Sequence, residues 1–238
     1  MKFLDICKKA SLKIIKIIHR NDKTLFQKIN KGFGGDVSMK IDLLAENIFI
    51  QAFKEYGNIY SEEIGFLDND LKKTFIIDPI DGSFNISNGF PYYGSSIALK
   101  NKNGKIIKAF IINLATGDYF YKDKNRKIEN NLFYNKKHTN SLNEMILFEK
   151  AYANLDLCEK LAKNNIKYRS PGALALSLAL GHRCKAVIFK GEIRDFDIAA
   201  GIYFNSDLYI KIKNDTLLMA KNKKDFKYLS KVIFWKKI

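Results

Sequence analysis

The stretch Phe75-Ile76-Ile77-Asp78-Pro79-Ile80-Asp81-Gly82-Ser83-Phe84-Asn85 runs an apolar, β-forming segment directly into two aspartates separated by Pro79 and Ile80. Pro79 fixes its own φ, so Asp78, Asp81 and the Ile80 carbonyl can converge on one side of a tight turn. These are hard oxygen ligands of the kind Mg²⁺ takes. Asp-Pro-x-Asp-Gly is also a competent β-turn with no ligand at all, and the stretch alone leaves the two readings even. If a short helix or turn opens at Gly82-Ser83, its free N–H groups face outward beside the aspartates, where a phosphate is held.

Upstream, Phe3, Ile6, Cys7, Ala10, Ile14, Ile17 and Ile18 recur at helical spacing, as do Ile41, Leu44, Ala45, Ile48, Phe49, Ala52, Phe53 and Tyr56. Two amphipathic helices are therefore predicted, joined by a polar, glycine-bearing loop from about Asn21 to Lys40 that is either a mobile active-site rim or a plain connector. Downstream, short apolar runs at Thr74–Ile77, Tyr93–Leu99, Ile106–Leu114 and Tyr119–Tyr121, broken by Asn103-Gly104 and Thr116-Gly117, predict an antiparallel meander. From Met145 strands and helices alternate: strands at Met145–Phe148, Ile166–Tyr168 and Ala186–Phe189, helices at Ala153–Asn164, Gly172–Leu180 and from Asp197, then a last strand and helix. The expected class is α+β passing into α/β, with residues 1–140 carrying most of the candidate ligands and 141–238 completing one compact unit. There is no internal repeat and no compositional break that would mark a linker.

Of 238 residues, 47% are hydrophobic and 28% charged, with three prolines, which excludes disordered, collagen-like and low-complexity classes. Lys and Arg number 41 against 25 Asp and Glu, a net charge of +16, so the surface attracts anions: phosphorylated metabolites, acidic lipid or nucleic acid. The lysines are scattered, and no zinc-knuckle spacing, RNP-like strand or basic heptad helix accompanies them, which does not favour a dedicated nucleic-acid module. Cys7, Cys158 and Cys184 are odd in number and far apart, as expected of buried thiols in a reducing compartment. No stretch has the length of a membrane span, and Lys8, Lys9 and Lys13 interrupt the N-terminal apolar residues where a signal peptide needs an unbroken core. The expectation is a soluble, cytoplasmic protein.

Other carboxylates can join the Asp78–Asp81 segment. Glu62 and Glu63 follow a short strand-like Asn58–Tyr60 run and otherwise read as surface charge. Asp197 opens a helix-like Asp-Ile-Ala-Ala-Gly run and otherwise reads as an N-cap. Carboxylates gathered without cations repel one another, so their clustering implies metal. His19, His138 and His182 lie outside every motif, which weighs against histidine acid catalysis.

Taken in order, Asp36–Glu46 (DVSMKIDLLAE), Ser61–Gly65 (SEEIG), Ile77–Asn85 (IDPIDGSFN), Phe90-Pro91, Arg169–Leu176 (RSPGALAL) and Asp197–Gly201 (DIAAG) resemble the ordered motifs of the inositol monophosphatase family, over most of the chain. The SEEIG and KIDLLAE wording is similar to members that also act on fructose 1,6-bisphosphate. The resemblance implies a layered αβαβα fold and a metal-dependent phosphomonoesterase. It implies two or three Mg²⁺ ions on Glu62, Asp78, Asp81, Asp197 and the Ile80 carbonyl. It makes Asp42 the partner of the Ser83 hydroxyl in activating water, where many members have Thr at the Ser83 position. Gly82 and Ser83 would present backbone donors to the phosphate, and Gly172 would line the substrate pocket. A homodimer is implied by the resemblance only.

The segment Phe189-Lys190-Gly191-Glu192-Ile193-Arg194-Asp195 departs from inositol-specific members, which carry a glutamate near the Lys190 position. A cation there, with Arg169 and Arg194, tilts the expected substrate toward a bisphosphorylated sugar or nucleotide; the alternative is an exposed lysine lying on the surface. The usual glycine-rich hairpin is reduced to Lys122–Lys137, and Ile202–Leu208 (IYFNSDL) lacks the usual acidic-glycine turn. Two other functions stay open at this point: an adenosine 3′,5′-bisphosphate phosphatase, and a basic RNA-binding protein with a relic site.

Overall fold

The computed structural model describes residues 2–20, 22–35, 37–135 and 142–234. His138, Asp36 and the last residues of the Lys122–Lys137 stretch lie outside them. In chain order the elements are α1 (Phe3–Ile18), β1 (Lys28–Lys31), β2 (Val37–Met39), α2 (Lys40–Phe53), β3 (Asn58–Ser61), β4 (Gly65–Leu67), β5 (Thr74–Asp81), α3 (Ser83–Ser87), β6 (Gly94–Lys100), β7 (Ile106–Asn113), β8 (Asp118–Lys122) and β9 (Lys127–Asn131). The chain continues as β10 (Leu142–Glu149), α4 (Leu155–Lys163), β11 (Tyr168–Arg169), α5 (Leu174–Ala179), β12 (Cys184–Lys190), α6 (Asp195–Phe204), β13 (Tyr209–Lys213), β14 (Thr216–Ala220) and α7 (Lys223–Phe234).

A seven-stranded sheet has the order β4-β3-β5-β6-β7-β8-β9, and a five-stranded sheet the order β11-β10-β12-β14-β13. The expected meander is present from β5 to β9, each strand antiparallel to the next, and β3 adds to it parallel to β5. In the second sheet β10 is parallel to both β11 and β12. Side chains alternate across a strand, and the alternation assigns each face to a layer. Phe75 and Ile77 of β5 pack with Phe49 and Phe53 of α2 and Ile14 of α1, while Ile76 packs with Ala175, Ala179, Phe196 and Ala200 of α5 and α6. In β12, Val187 and Phe189 meet Leu174, Leu178 and Ile198 on that same helix layer, and Ala186 and Ile188 meet Leu157, Leu161, Leu229 and Ile233 of α4 and α7. The result is five layers, αβαβα, with α5 and α6 sandwiched between the sheets. A strand buried on both faces reads as one continuous apolar run, which is why Phe75–Ile77 was legible as β.

Several boundaries differ from the sequence reading, each for a local reason. The polar segment after α1 is not featureless: it holds a short 3₁₀ turn at Lys23–Phe26 and the β1–β2 hairpin. The strand β9, Lys-Ile-Glu-Asn-Asn, lies at a sheet edge, where polar residues are tolerated and the apolar signal fades. Two strands, β13 and β14, stand before the last helix where one was expected, and the first of these is again an edge. The helix expected from Gly172 begins at Leu174, because Gly172 has φ +89° and Ala173 is extended. Asp197 is the third residue of α6, whose N-cap position is Arg194, so Asp197 is not an N-cap.

Gly201 lies where α6 crosses α5, and a methyl group there would overlap Leu178. Alanine is the better helix former, but this overlap is anchored on the Leu178 Cβ itself, so sterics decide the sign. Gly201→Ala is expected to cost about 1–3 kcal/mol and to lower Tm by several degrees, read by thermal unfolding.

Candidate active site

The local cause of the site is a bulge. Asp78 pairs with Ser96 and Asp81 with Gly94, so β5 carries one more residue than β6 between these points. In a regular strand two residues three apart face opposite sides of the sheet. The extra residue, at the proline that has no N–H for the ladder, turns Ile80 into the α1–α2 core and leaves both aspartates on the wall of one cavity. Gly82 then adopts φ +90°, closed to most side chains, and starts α3 at Ser83. The Asn85 amide donates to the carbonyls of Tyr92 (2.6 Å) and Pro171 (2.8 Å), tying this turn to the loop that precedes α5.

The cavity has a volume of about 360 Å³ and is walled by Asp42, Glu62, Glu63, Asp78, Ile80, Asp81, Gly82, Ser83, Gly172 and Asp197, among others. Three carboxylates come together there: oxygens of Glu62, Asp78 and Asp197 lie within 4.8 Å of one another. Asp78 is 1% exposed, and its Oδ1 has no hydrogen-bond partner among the described residues. Burial, with the charges of Glu62, Asp81 and Asp197, holds the Asp78 carboxyl well above the usual carboxylate range. An orphaned, buried carboxylate oxygen facing two further carboxylates is a donor set that fits a hard divalent cation.

The cation supplied by the chain is Arg194. Its Nη2 lies 3.0 Å from Glu62 Oε1, its Nε and Nη2 donate to Asp197 at 2.8 and 3.1 Å, and its Nη1 donates to the Gly34 carbonyl at 2.9 Å. Gly34 in turn donates its N–H to the Glu62 carbonyl at 2.7 Å, so the tip of the β1–β2 hairpin is docked on the cluster. Glu63 accepts the Ser38 hydroxyl from β2 and is a cavity residue rather than surface charge.

Asp81 takes a different environment. Its two oxygens accept the N–H groups of Leu174 (3.0 Å), Ala175 (2.7 Å) and Leu176 (3.3 Å), so it caps α5 from the other half of the chain. Burial and the Asp197 and Glu149 charges push its carboxyl up, and these donors pull against them. Asp42 Oδ2 accepts the Met39 N–H at 2.6 Å, and Ser83 Oγ stands 3.2 Å from Asp42 Oδ1 and 3.1 Å from the Ile80 carbonyl. Burial raises the Asp42 carboxyl to about 7 despite the Met39 N–H, with the Glu63 charge adding to the rise.

Arg169 and Lys190 are not in the cavity wall. Lys190 Nζ lies 3.2 Å from both oxygens of Asp156 on α4, and Arg169 donates to the Tyr168 carbonyl. The wall instead includes Glu149, Lys150, Tyr152 and Phe84, none of which the sequence reading singled out. A signal existed: Glu149 ends β10, and ligands gather beyond the C-terminal ends of parallel strands.

The model of the family described as inositol monophosphatase matches residues 2–203. The chain belongs to that family. It is 28% identical over 186 residues to the fructose-1,6-bisphosphatase of Pyrococcus furiosus, a match covering 76% of this chain and 71% of that protein. It is 34% identical over 100 residues to a Methanocaldococcus jannaschii protein named fructose-1,6-bisphosphatase/inositol-1-monophosphatase, covering 42% of this chain and 39% of that relative. The solved structure of the Thermotoga maritima IMPase has the same fold, with a TM-score of 0.77 at 20% identity over 98% of this chain and 99% of that chain. Membership of the inositol monophosphatase family makes the chain a metal-dependent phosphatase, and the cavity described above holds the acidic cluster such an enzyme requires.

Two outcomes are expected without divalent cation, in EDTA. Arg194→Met removes the guanidinium that is paired with Glu62 and Asp197 in a largely buried setting, and a loss of the order of 3 kcal/mol should appear in urea unfolding. Asp42, ordinarily 3.8 and raised to about 7, binds a proton between those values that the unfolded chain has released. Wild-type stability should therefore fall relative to Asp42→Asn as pH rises through that window and run parallel above about pH 8, measured by urea midpoints.

Proposed function

We propose that the chain hydrolyses a phosphate monoester of a small sugar or inositol, with two or three Mg²⁺ ions per site and fructose 1,6-bisphosphate among its substrates. The observation that carries this reading is the buried cluster of Glu62, Asp78 and Asp197 with Asp78 Oδ1 unpartnered. Phosphate monoesters need both an activated nucleophile and neutralisation of the phosphoryl charge. Bound divalent cations supply Lewis-acid stabilisation of phosphoryl and leaving oxygens and lower the pKa of water.

The chain's own residues divide the remaining work. Glu62, Asp78, Asp197 and the Ile80 carbonyl are the proposed ligands. Asp81 joins them: a carboxylate has about four lone-pair sites, and its three N–H donors leave one unused. Ser83 has a single hydroxyl hydrogen, which serves either the Ile80 carbonyl or Asp42. With the carbonyl engaged as a ligand, that hydrogen goes to Asp42 and the Ser83 oxygen is left to accept from the attacking water. Asp42, with its carboxyl raised to about 7, is poised to take up the proton near neutral pH. The N–H groups of Ser83 and Phe84 belong to the first turn of α3, where no helix carbonyl can meet them, and they face the phosphate together with Gly82. Gly172, its N–H held by Glu149, lines the cavity beside Gly82.

The reading includes a small phosphorylated metabolite as partner, a homodimer as the family resemblance implies, and a cytoplasmic setting that the three free thiols support. Residues 1–140 and 141–238 are read as two halves of one unit, because the proposed ligand set draws Glu62, Asp78 and Asp81 from the first and Asp197 from the second. The test is phosphate release from inositol 1-phosphate and fructose 1,6-bisphosphate. Activity should vanish in EDTA, return with Mg²⁺, and fall at least ~100-fold in Asp78→Asn with the thermal transition retained. Metal-independent turnover, or full turnover in that variant, would overturn the assignment.

A further inference from the structure

Two cationic side chains line the cavity, Lys150 and Arg194. Arg194 is committed to Glu62, Asp197 and the Gly34 carbonyl. Lys150 is not: among the described residues its ammonium makes no ion pair, and its one recorded partner is the ring of Phe189, 5.7 Å away on the same cavity wall. It is half-buried and follows directly on Glu149, whose carboxylate turns inward to the Gly172 N–H and the Ser177 hydroxyl. The last residue of β10 thus puts a carboxylate into the protein, and the residue that follows it puts an ammonium onto the cavity.

The backbone of Lys150 is held in a conformation that lysine disfavours, at φ +56°, ψ 31°. The other described non-glycine residues with positive φ are Asp70, Asn165 and Asn214, types that tolerate this region. Lys150 is fixed there through its carbonyl, which accepts the Asn154 amide (2.8 Å) and the Ala153 N–H (3.1 Å), while the same Asn154 amide donates to the Lys190 carbonyl (2.9 Å). Asn154 therefore staples the ends of the neighbouring parallel strands β10 and β12 and sets where the Lys150 side chain leaves the backbone. Glycine would serve this turn without strain, and what lysine adds is the ammonium.

We propose that Lys150 is a specificity-determining residue that binds a second phosphate of the substrate, remote from the one hydrolysed on the carboxylate cluster, and so selects bisphosphorylated sugars over monophosphates. This takes over the role that sequence alone had placed on Lys190 and Arg169, and it rests on the phosphatase reading. A single compact ammonium gives a salt-sensitive contact without the bidentate geometry of arginine.

Lys150→Gly tests it, because it removes the ammonium and relieves the backbone, so Tm should stay level or rise. The ratio of kcat/KM for fructose 1,6-bisphosphate to that for inositol 1-phosphate should fall about 10-fold or more, chiefly through KM, with partial recovery in Lys150→Arg. By calorimetry the affinity for fructose 6-phosphate, which carries only the second anion, should weaken by a similar factor, and added salt should narrow the gap between wild type and variant. An unchanged ratio together with unchanged fructose 6-phosphate affinity would overturn the proposal. If wild type hydrolyses neither substrate while Lys150→Gly still loses fructose 6-phosphate, the phosphatase reading fails and the Lys150 subsite stands.

Discussion

Like charge held out of water is the constraint around which this molecule is arranged. Glu62 comes from the turn directly after β3, Asp78 from β5 and Asp197 from α6, and burying their carboxylates together is unfavourable unless positive charge enters with them. The upward push on the Asp78 carboxyl states this in electrostatic terms: burial and the charges of Glu62, Asp81 and Asp197 raise it, and Arg194 pulls it down. The fold tolerates the arrangement because β5 is anchored elsewhere. Phe53 stacks on Phe75 with ring centroids 4.2 Å apart, and Ile77 is sealed against α2. Apolar packing on both faces of the strand body offsets the acidic residues at its C-terminal end.

The second half of the chain is located by the same acidic turn. Asp81 caps α5 through three N–H groups, and Asn85 holds the Pro171 carbonyl just before that helix. A residue drawn as a metal ligand is therefore also a structural joint between the two sheets. The helix N-terminus favours its charge, which the neighbouring Asp197 and Glu149 oppose. Arg194 plays a comparable double part, neutralising the cluster and tethering the β1–β2 hairpin to it. The acidic cavity and the joints of the fold share residues here because a buried charge has few partners and each partner must come from a different element.

What was legible in the sequence follows from the range of the interaction that produces it. Helices α1 and α2 show their apolar stripe within one turn, and β5 shows its double-sided burial as an unbroken run. The hairpin at Lys28–Met39 and the edge strands β9 and β13 do not, because their pairing is made by backbone ladders and tolerates polar side chains. Asp42, Glu62, Ser83 and Asp197 were found through ordered motifs, and all of them line one cavity.

By itself the sequence determined the elements whose information is local: two N-terminal amphipathic helices, the buried strand ending in paired aspartates, the meander, and the family motifs in their order. Only the tertiary structure decided which charges meet. It brought Glu62, Asp78 and Asp197 within 4.8 Å of one another while Asp81 turns to α5, and it paired Lys190 with Asp156 while placing Lys150 on the cavity wall. The physical reason is that the direction of a side chain at a strand end depends on bulges, caps and neighbouring strands far away in the chain, and no spacing along the sequence encodes them.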